Sequence, residues 1–147
     1  MALQIGAIVT AIAGLEISGV VIADDNLIPP NMVDPGQPML YPEPEAFVTD
    51  FTLEHNSFGL HSTAKMTARY TLHYTYCHSP IVSGNALETF SEVVTKWGLI
   101  ADAIMTNVLT TAVNIELGTA DVLPVQDPAG NFFLGAKFTV IVTEFVN

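Results

Sequence analysis

The sequence predicts an α+β domain in which two helices pack on one face of an antiparallel or mixed β-sheet. Three observations carry this. Residues 64–78 alternate without Gly or Pro. Ala64, Met66, Ala68, Tyr70, Leu72, Tyr74 and Tyr76 fall on one side, and Lys65, Thr67, Arg69, Thr71, His73, Thr75 and Cys77 on the other. That is a long strand with one aromatic-apolar face and one polar face. Leu87, Phe90, Val94, Trp97, Ala101, Ile104 and Val108 recur at three- and four-residue spacing, the stripe of a long amphipathic helix. Leu134, Ala136, Phe138, Val140 and Val142 alternate with Lys137, Thr139 and Thr143, giving a final long strand. Helices separated by hairpins suit a sheet covered on one side.

The elements follow in order. Leu3, Ala7, Ile8, Ala11, Ile12 and Leu15 have helical spacing, so a first helix of about three turns should end near Gly14. Residues 19–23 form a short β-branched run stopped by Asp24, Asp25 and Asn26. Residues 26–45 hold Pro29, Pro30, Pro35, Pro38, Pro42 and Pro44. Proline removes donors and fixes φ, so neither a helix nor an interior strand is expected there. The apolar residues of this arm suit a loop lying along a surface, its own or a partner's. Ile28, Pro29, Pro30, Met32, Met39 and Tyr41 are the candidate interface residues.

Phe47, Phe51 and Leu53 then share one side of a strand that should pair antiparallel with the central one. Asn85 with Glu88 three residues on makes a capping box for the second helix. Val113, Ile115 and Leu117 mark another strand that ends at Gly118 or continues brokenly to Val125, and residues 127–131 make the turn into the last one. At 147 residues the chain is one domain with room for a core.

Composition narrows the function classes. The formal charge of −11 reflects only 4 Lys and Arg against 15 acidic residues. Lys65, Arg69, Lys96 and Lys137 are too few and dispersed for a nucleic-acid footprint, so the chain should not grip DNA. The apolar N-terminal stretch is interrupted by Gln4, Gly6, Thr10 and Gly14 and closed by Glu16, short of the roughly 20 residues of a spanning helix. It also lacks the cationic start of a secretory signal, so a soluble, non-exported protein with no membrane partner is expected. Cys77 is the single cysteine, which leaves no intrachain disulfide and suits a small packing residue.

Catalytic or metal-binding material is thin. His73 could approach Cys77 on the polar face, but no third group orients the pair. His55, His61 and His78 would bind zinc only if hairpin ends converged. Asp24 and Asp25 lack the spacing of a calcium loop. No dinucleotide, phosphate-loop or nucleophile-elbow motif is present. The expectation is therefore no enzyme, no cofactor and no metal. The competing class is a small binding domain with Tyr70, Tyr74 and Tyr76 lining a pocket rather than filling a core.

The N-terminal third resembles the tail terminator, or tail completion, proteins of long, non-contractile-tailed bacteriophages. The likeness lies in the Ala-rich helix from Ala7 to Leu15, the Gly-Val strand from Gly19 to Ala23, and the acidic stop at Asp24 and Asp25. It continues through Ile28, Pro29 and Pro30 and the return at residues 38–42. The later order of hairpin, helix and hairpin is similar to that family's domain. The resemblance implies a homo-oligomeric ring, typically hexameric, that caps the tail tube protein and docks to head-tail connector proteins. DNA would then pass through the lumen without specific binding, and the protein would belong to the virion. Another neck or tail component, such as a head-tail joining or tail tube protein, is the neighbouring alternative.

Overall fold

The computed structural model describes residues 3–22, 38–43, 46–55, 66–80, 86–107, 113–126 and 132–146. In chain order these form α1 (Ile5–Ala13), β1 (Val21–Ile22), β2 (Met39–Pro42), β3 (Val48–His55), β4 (Met66–Pro80), α2 (Ala86–Asn107), β5 (Val113–Leu117), β6 (Asp121–Gln126) and β7 (Phe132–Val146). The class is α+β, as the alternation and the two amphipathic stretches imply.

Strands β4 and β7 are the spine of the sheet. They pair antiparallel from Met66 opposite Val146 to Pro80 opposite Phe133. Each carries two short strands end to end on its outer edge. β3 and β2 lie along β4, and β5 and β6 lie along β7. β1 adds to β2 in parallel. The result is a seven-stranded sheet two long strands wide at its centre.

Because side chains alternate, the even-numbered residues of β4 and β7 share one face. On it Tyr70, Leu72, Tyr74, Tyr76, Phe138, Val140 and Val142 are buried under Ile8, Val9 and Ile12 of α1 and Val93, Ile100 and Ile104 of α2. Burying one such side chain contributes about 1.5–3 kcal/mol, so this layer dominates the stability of the fold. The Trp97 ring lies 4.4 Å from Phe138, which stacks on Tyr74 at 5.8 Å.

One member of this layer is not apolar. Glu144 continues the core-facing register of β7 and is buried opposite Ala68 and Val113. Its carboxylate accepts the Tyr70 hydroxyl at 2.6 Å and the backbone N–H of Gln4. α1 has no acidic residue in its first turn, and the Gln4 side chain makes no capping hydrogen bond. A strand residue 140 positions away therefore supplies the cap, where the helix dipole favours negative charge.

Tyr74 is the opposite case. Its hydroxyl is buried and has no hydrogen-bond partner among the described residues, and burial pushes its phenol well above the ordinary tyrosine range. A stranded hydroxyl of this kind costs stability. Tyr74→Phe should thus raise the unfolding free energy by on the order of 1 kcal/mol in a urea titration. A loss of that size instead would mean that the hydroxyl is bonded in solution.

Several sequence expectations need correction. The face of α2 that meets the sheet is Val93, Trp97, Ile100 and Ile104; Phe90 and Val94 are exposed. The run at residues 19–23 contributes only the two-residue β1. It follows a turn in which Gly19 has φ +75°, and a Cβ there would crowd the Lys96 ammonium. In β3, Asp50 has φ 55° and the register with β4 slips by one residue between Thr49 and Thr52. This bulge puts Val48, rather than Phe47, in phase with Leu53 across from Leu72 and Ala68.

The largest correction concerns the arm. Residues 39–42 are an interior strand, held between β1 and β4. Proline is tolerated because Pro42 ends the strand. The back of the sheet is consequently not polar throughout. Met39, Tyr41, Cys77, Val125 and Phe133 form a second apolar cluster there. Gly135 lies between Cys77 and Leu123 in the sheet, and a Cβ at that position would collide with the Tyr76 carbonyl.

Candidate functional site

Tyr76 and His78 sit two residues apart on β4, on the same face, so their side chains project together toward α2. The Tyr76 hydroxyl and His78 Nδ1 are 2.7 Å apart, and His78 Nε2 is 3.0 Å from the Glu92 carboxylate. A carboxylate only accepts, so Nε2 carries a proton, and in the neutral tautomer this leaves Nδ1 to accept the Tyr76 hydroxyl. Burial, and secondarily the neighbouring Cys77 and Glu92, push the Tyr76 phenol far up. It therefore serves as a donor and not as a phenolate.

A cleft of about 290 Å³ opens beside this relay, lined by His78, Glu88, Ser91, Glu92, Thr95 and Lys96. Both ring nitrogens of His78 are occupied, and Tyr76 is wholly buried. The arrangement suits a clasp pinning the end of β4 to the first half of α2 better than a base facing substrate. The Lys96 ammonium is likewise engaged, donating to the Ser18 carbonyl at 2.8 Å.

The other chemistry-bearing residues are kept apart. His73 and Cys77 share a face but are four strand residues, or roughly 13 Å, apart. His73 Nε2 instead meets the Thr49 hydroxyl at 2.7 Å, and the buried Cys77 thiol meets the Tyr41 hydroxyl at 3.4 Å. His55 pairs with Met66 at the opposite end of β4 from His78, roughly 40 Å away along the strand, so these two cannot share an ion. His61, Asp24 and Asp25 lie outside the described residues. Among the described residues no cluster of His, Cys, Asp and Glu is arranged to hold a metal. Tyr70, Tyr74 and Tyr76 form filled core beneath the helices.

Of the six candidate interface residues, Ile28, Pro29, Pro30 and Met32 also lie outside the described residues. Met39 and Tyr41 are placed in β2, where both are buried in the second apolar cluster. Within the subunit β2 is hydrogen-bonded on both sides, and both side chains are buried with Cys77, Val125 and Phe133.

Surface apolar residues occur instead on β3 and α2. Val48, Phe51 and Leu53 of β3 are exposed, with Phe51 stacked on Tyr70. Phe90, Val94, Leu99 and Met105 are exposed on α2. Sequence reasoning missed both sets because each has the period of a buried face; the bulge at Asp50 and the true rotation of α2 are not written in the spacing. No protein-family model matches the chain, and no curated protein matches it either. Among the described residues no helix is long and apolar enough to cross a membrane.

Proposed function

We propose that this protein is a structural subunit that assembles head-to-tail into a closed ring, in the manner of the phage tail terminators it resembles. The observation that carries the reading is the state of the two sheet edges. β3 forms the outer edge beside the first half of β4, and its apolar Val48, Phe51 and Leu53 stand 39, 44 and 51% exposed. β5 and β6 form the opposite edge. An open edge offers unpaired N–H and C=O groups, and joining two different edges of like subunits is a heterologous contact that closes only as a ring. The filled tyrosine core also supports a structural part over a small-ligand binding domain.

In this reading the ring is hexameric, caps the tail tube, meets head-tail connector proteins and resides in the virion. DNA passes its lumen without being gripped, consistent with 4 cationic residues in 147. A neighbouring neck or tail role would use the same contacts. Native mass spectrometry of the purified chain tests the proposal. The expected result is a discrete ring, disrupted to smaller species by Leu53→Asp with little change in melting temperature, since that side chain is half-exposed. A wild-type chain that stays monomeric would sink the reading.

A further inference from the structure

We propose that the outer edge of β5 receives strand β3 of a second copy, whose exposed apolar side chains pack beneath the overhanging flank of α2. The proposal rests on the ring reading and names the contact that closes the ring.

The hydrogen-bonding phase of the sheet singles out β5. The Gly118 N–H donates to the Thr139 carbonyl at 3.0 Å, so along β5 the backbone groups of Asn114 and Glu116 turn toward β7. Those of Val113, Ile115 and Leu117 turn outward, and among the described residues no strand pairs with them. β6 lies on the same side of β7, but its edge is blunted. The same phase carried along β7 turns the nitrogen of Pro124 outward, where proline has no N–H to offer. On the far edge the His73 N–H donates to the Phe47 carbonyl at 2.8 Å. Thr52 and Glu54 therefore face β4, and the backbone groups of Leu53 and His55 turn outward. The bulge at Asp50 leaves residues 51–55 as the regular stretch of that edge, and β5 is five residues long. The two open edges match in length.

The helix layer decides what a strand beside β5 must carry. Glu92 reaches His78 on β4, and Trp97 lies on Phe138 of β7. Each helical residue turns about 100°, so the next arc in the same direction, Phe90, Val94, Ala101 and Met105, lies toward β5 and β6. Phe90, Val94 and Met105 stand exposed there, with no strand beyond β5 and β6 among the described residues. β3 has the matching set. Phe51 stacks on Tyr70 and Leu53 lies across from Ala68, so both face the helix side of the sheet, and both are exposed. Within one chain β4 and β7 hold β3 and β5 three strand spacings apart, roughly 14 Å, so the β3 that meets β5 belongs to another copy. One contact then pairs two open edges and covers both exposed apolar sets. Glu54 and Glu116 turn to the back face, where Arg69 beside Thr52 offsets their charge.

Cross-linking between copies tests the pairing. Glu54→Cys co-expressed with Asn114→Cys or with Glu116→Cys should give a disulfide-linked dimer on a non-reducing gel after mild oxidation, since a disulfide needs Cα atoms within about 7 Å. Each variant alone should give none, and neither should Glu54→Cys with Asp121→Cys on β6. All four positions are exposed, so the fold is not at risk. In native mass spectra Met105→Asp should break the wild-type ring into smaller species, with circular dichroism checking that it stays folded. Rings that persist without a link from Glu54→Cys to β5, that link to β6 equally well, or that survive Met105→Asp intact overturn this pairing and leave the ring reading standing. A wild-type chain that stays monomeric overturns both.

Discussion

Ile100→Ala should lower the unfolding free energy by about 2–5 kcal/mol, whereas Phe90→Ala on the same helix should change it by less than about 0.5 kcal/mol. Ile100 is fully buried between α2 and the tyrosine face of the sheet, so truncation loses transfer free energy and leaves a cavity. Phe90 is nearly half-exposed and touches water on the flank of the helix. Judged by spacing alone the ranking reverses, because a phenylalanine in an i, i+4 series with Val94 looks more deeply committed than an isoleucine. Chemical denaturation of the two variants reads the rotation of α2 directly. Comparable losses at both positions would mean that α2 sits on the sheet in the phase its sequence first suggests.

That reversal shows where the sequence runs out. α2 carries apolar residues over most of its circumference: Val93, Trp97, Ile100 and Ile104 on one arc, Phe90, Val94, Ala101 and Met105 on the next, and Leu99 beyond. A stripe of period 3.6 can be drawn through either arc, and only the packing against β7 chooses between them. The strands were more legible. β4 and β7 alternate strictly as far as Cys77, where a register shift before Ser79 breaks the parity, and the pairing of the two follows from having matched lengths. Parity fails only where the backbone departs from regular pleat, as at Asp50, whose left-handed φ is not signalled by any glycine. β2 was hidden for a different reason. Pro38 and Pro42 bracket Met39, Leu40 and Tyr41, and prolines at both ends of a run suggest a loop although each stands where the missing N–H matters little.

Of the polar network, His78 and Glu92 could be seen only as separate strand-end and helix residues, since nothing in the spacing brings them together. Glu144 is different. It follows Ala136, Phe138, Val140 and Val142 in strict alternation, so a carboxylate in core phase was visible in the sequence and asked for a buried partner.

Removing that carboxylate should be among the most damaging single changes outside the apolar core. In Glu144→Ala, α1 loses the acceptor at its first turn, worth about 1 kcal/mol as a cap. The Tyr70 hydroxyl is left buried without its acceptor, at a further cost of about 1–3 kcal/mol. The loss is therefore expected at about 2–4 kcal/mol in a urea titration, with the amides of α1 losing hydrogen-exchange protection first. Tyr70→Phe removes one charge-assisted bond and leaves the Gln4 N–H in place, so about 1.5–3 kcal/mol is expected from it alone. The decisive comparison is Glu144→Leu combined with Tyr70→Phe. Replacing both partners by apolar groups of similar shape removes the stranded hydroxyl as well as the buried charge. The double variant should then be more stable than either Glu144→Ala or the sum of the single losses, while α1 still exchanges faster because its cap is gone. Strictly additive losses would mean that Glu144 and Tyr70 act independently, and that α1 is held by Ile8, Val9 and Ile12 alone.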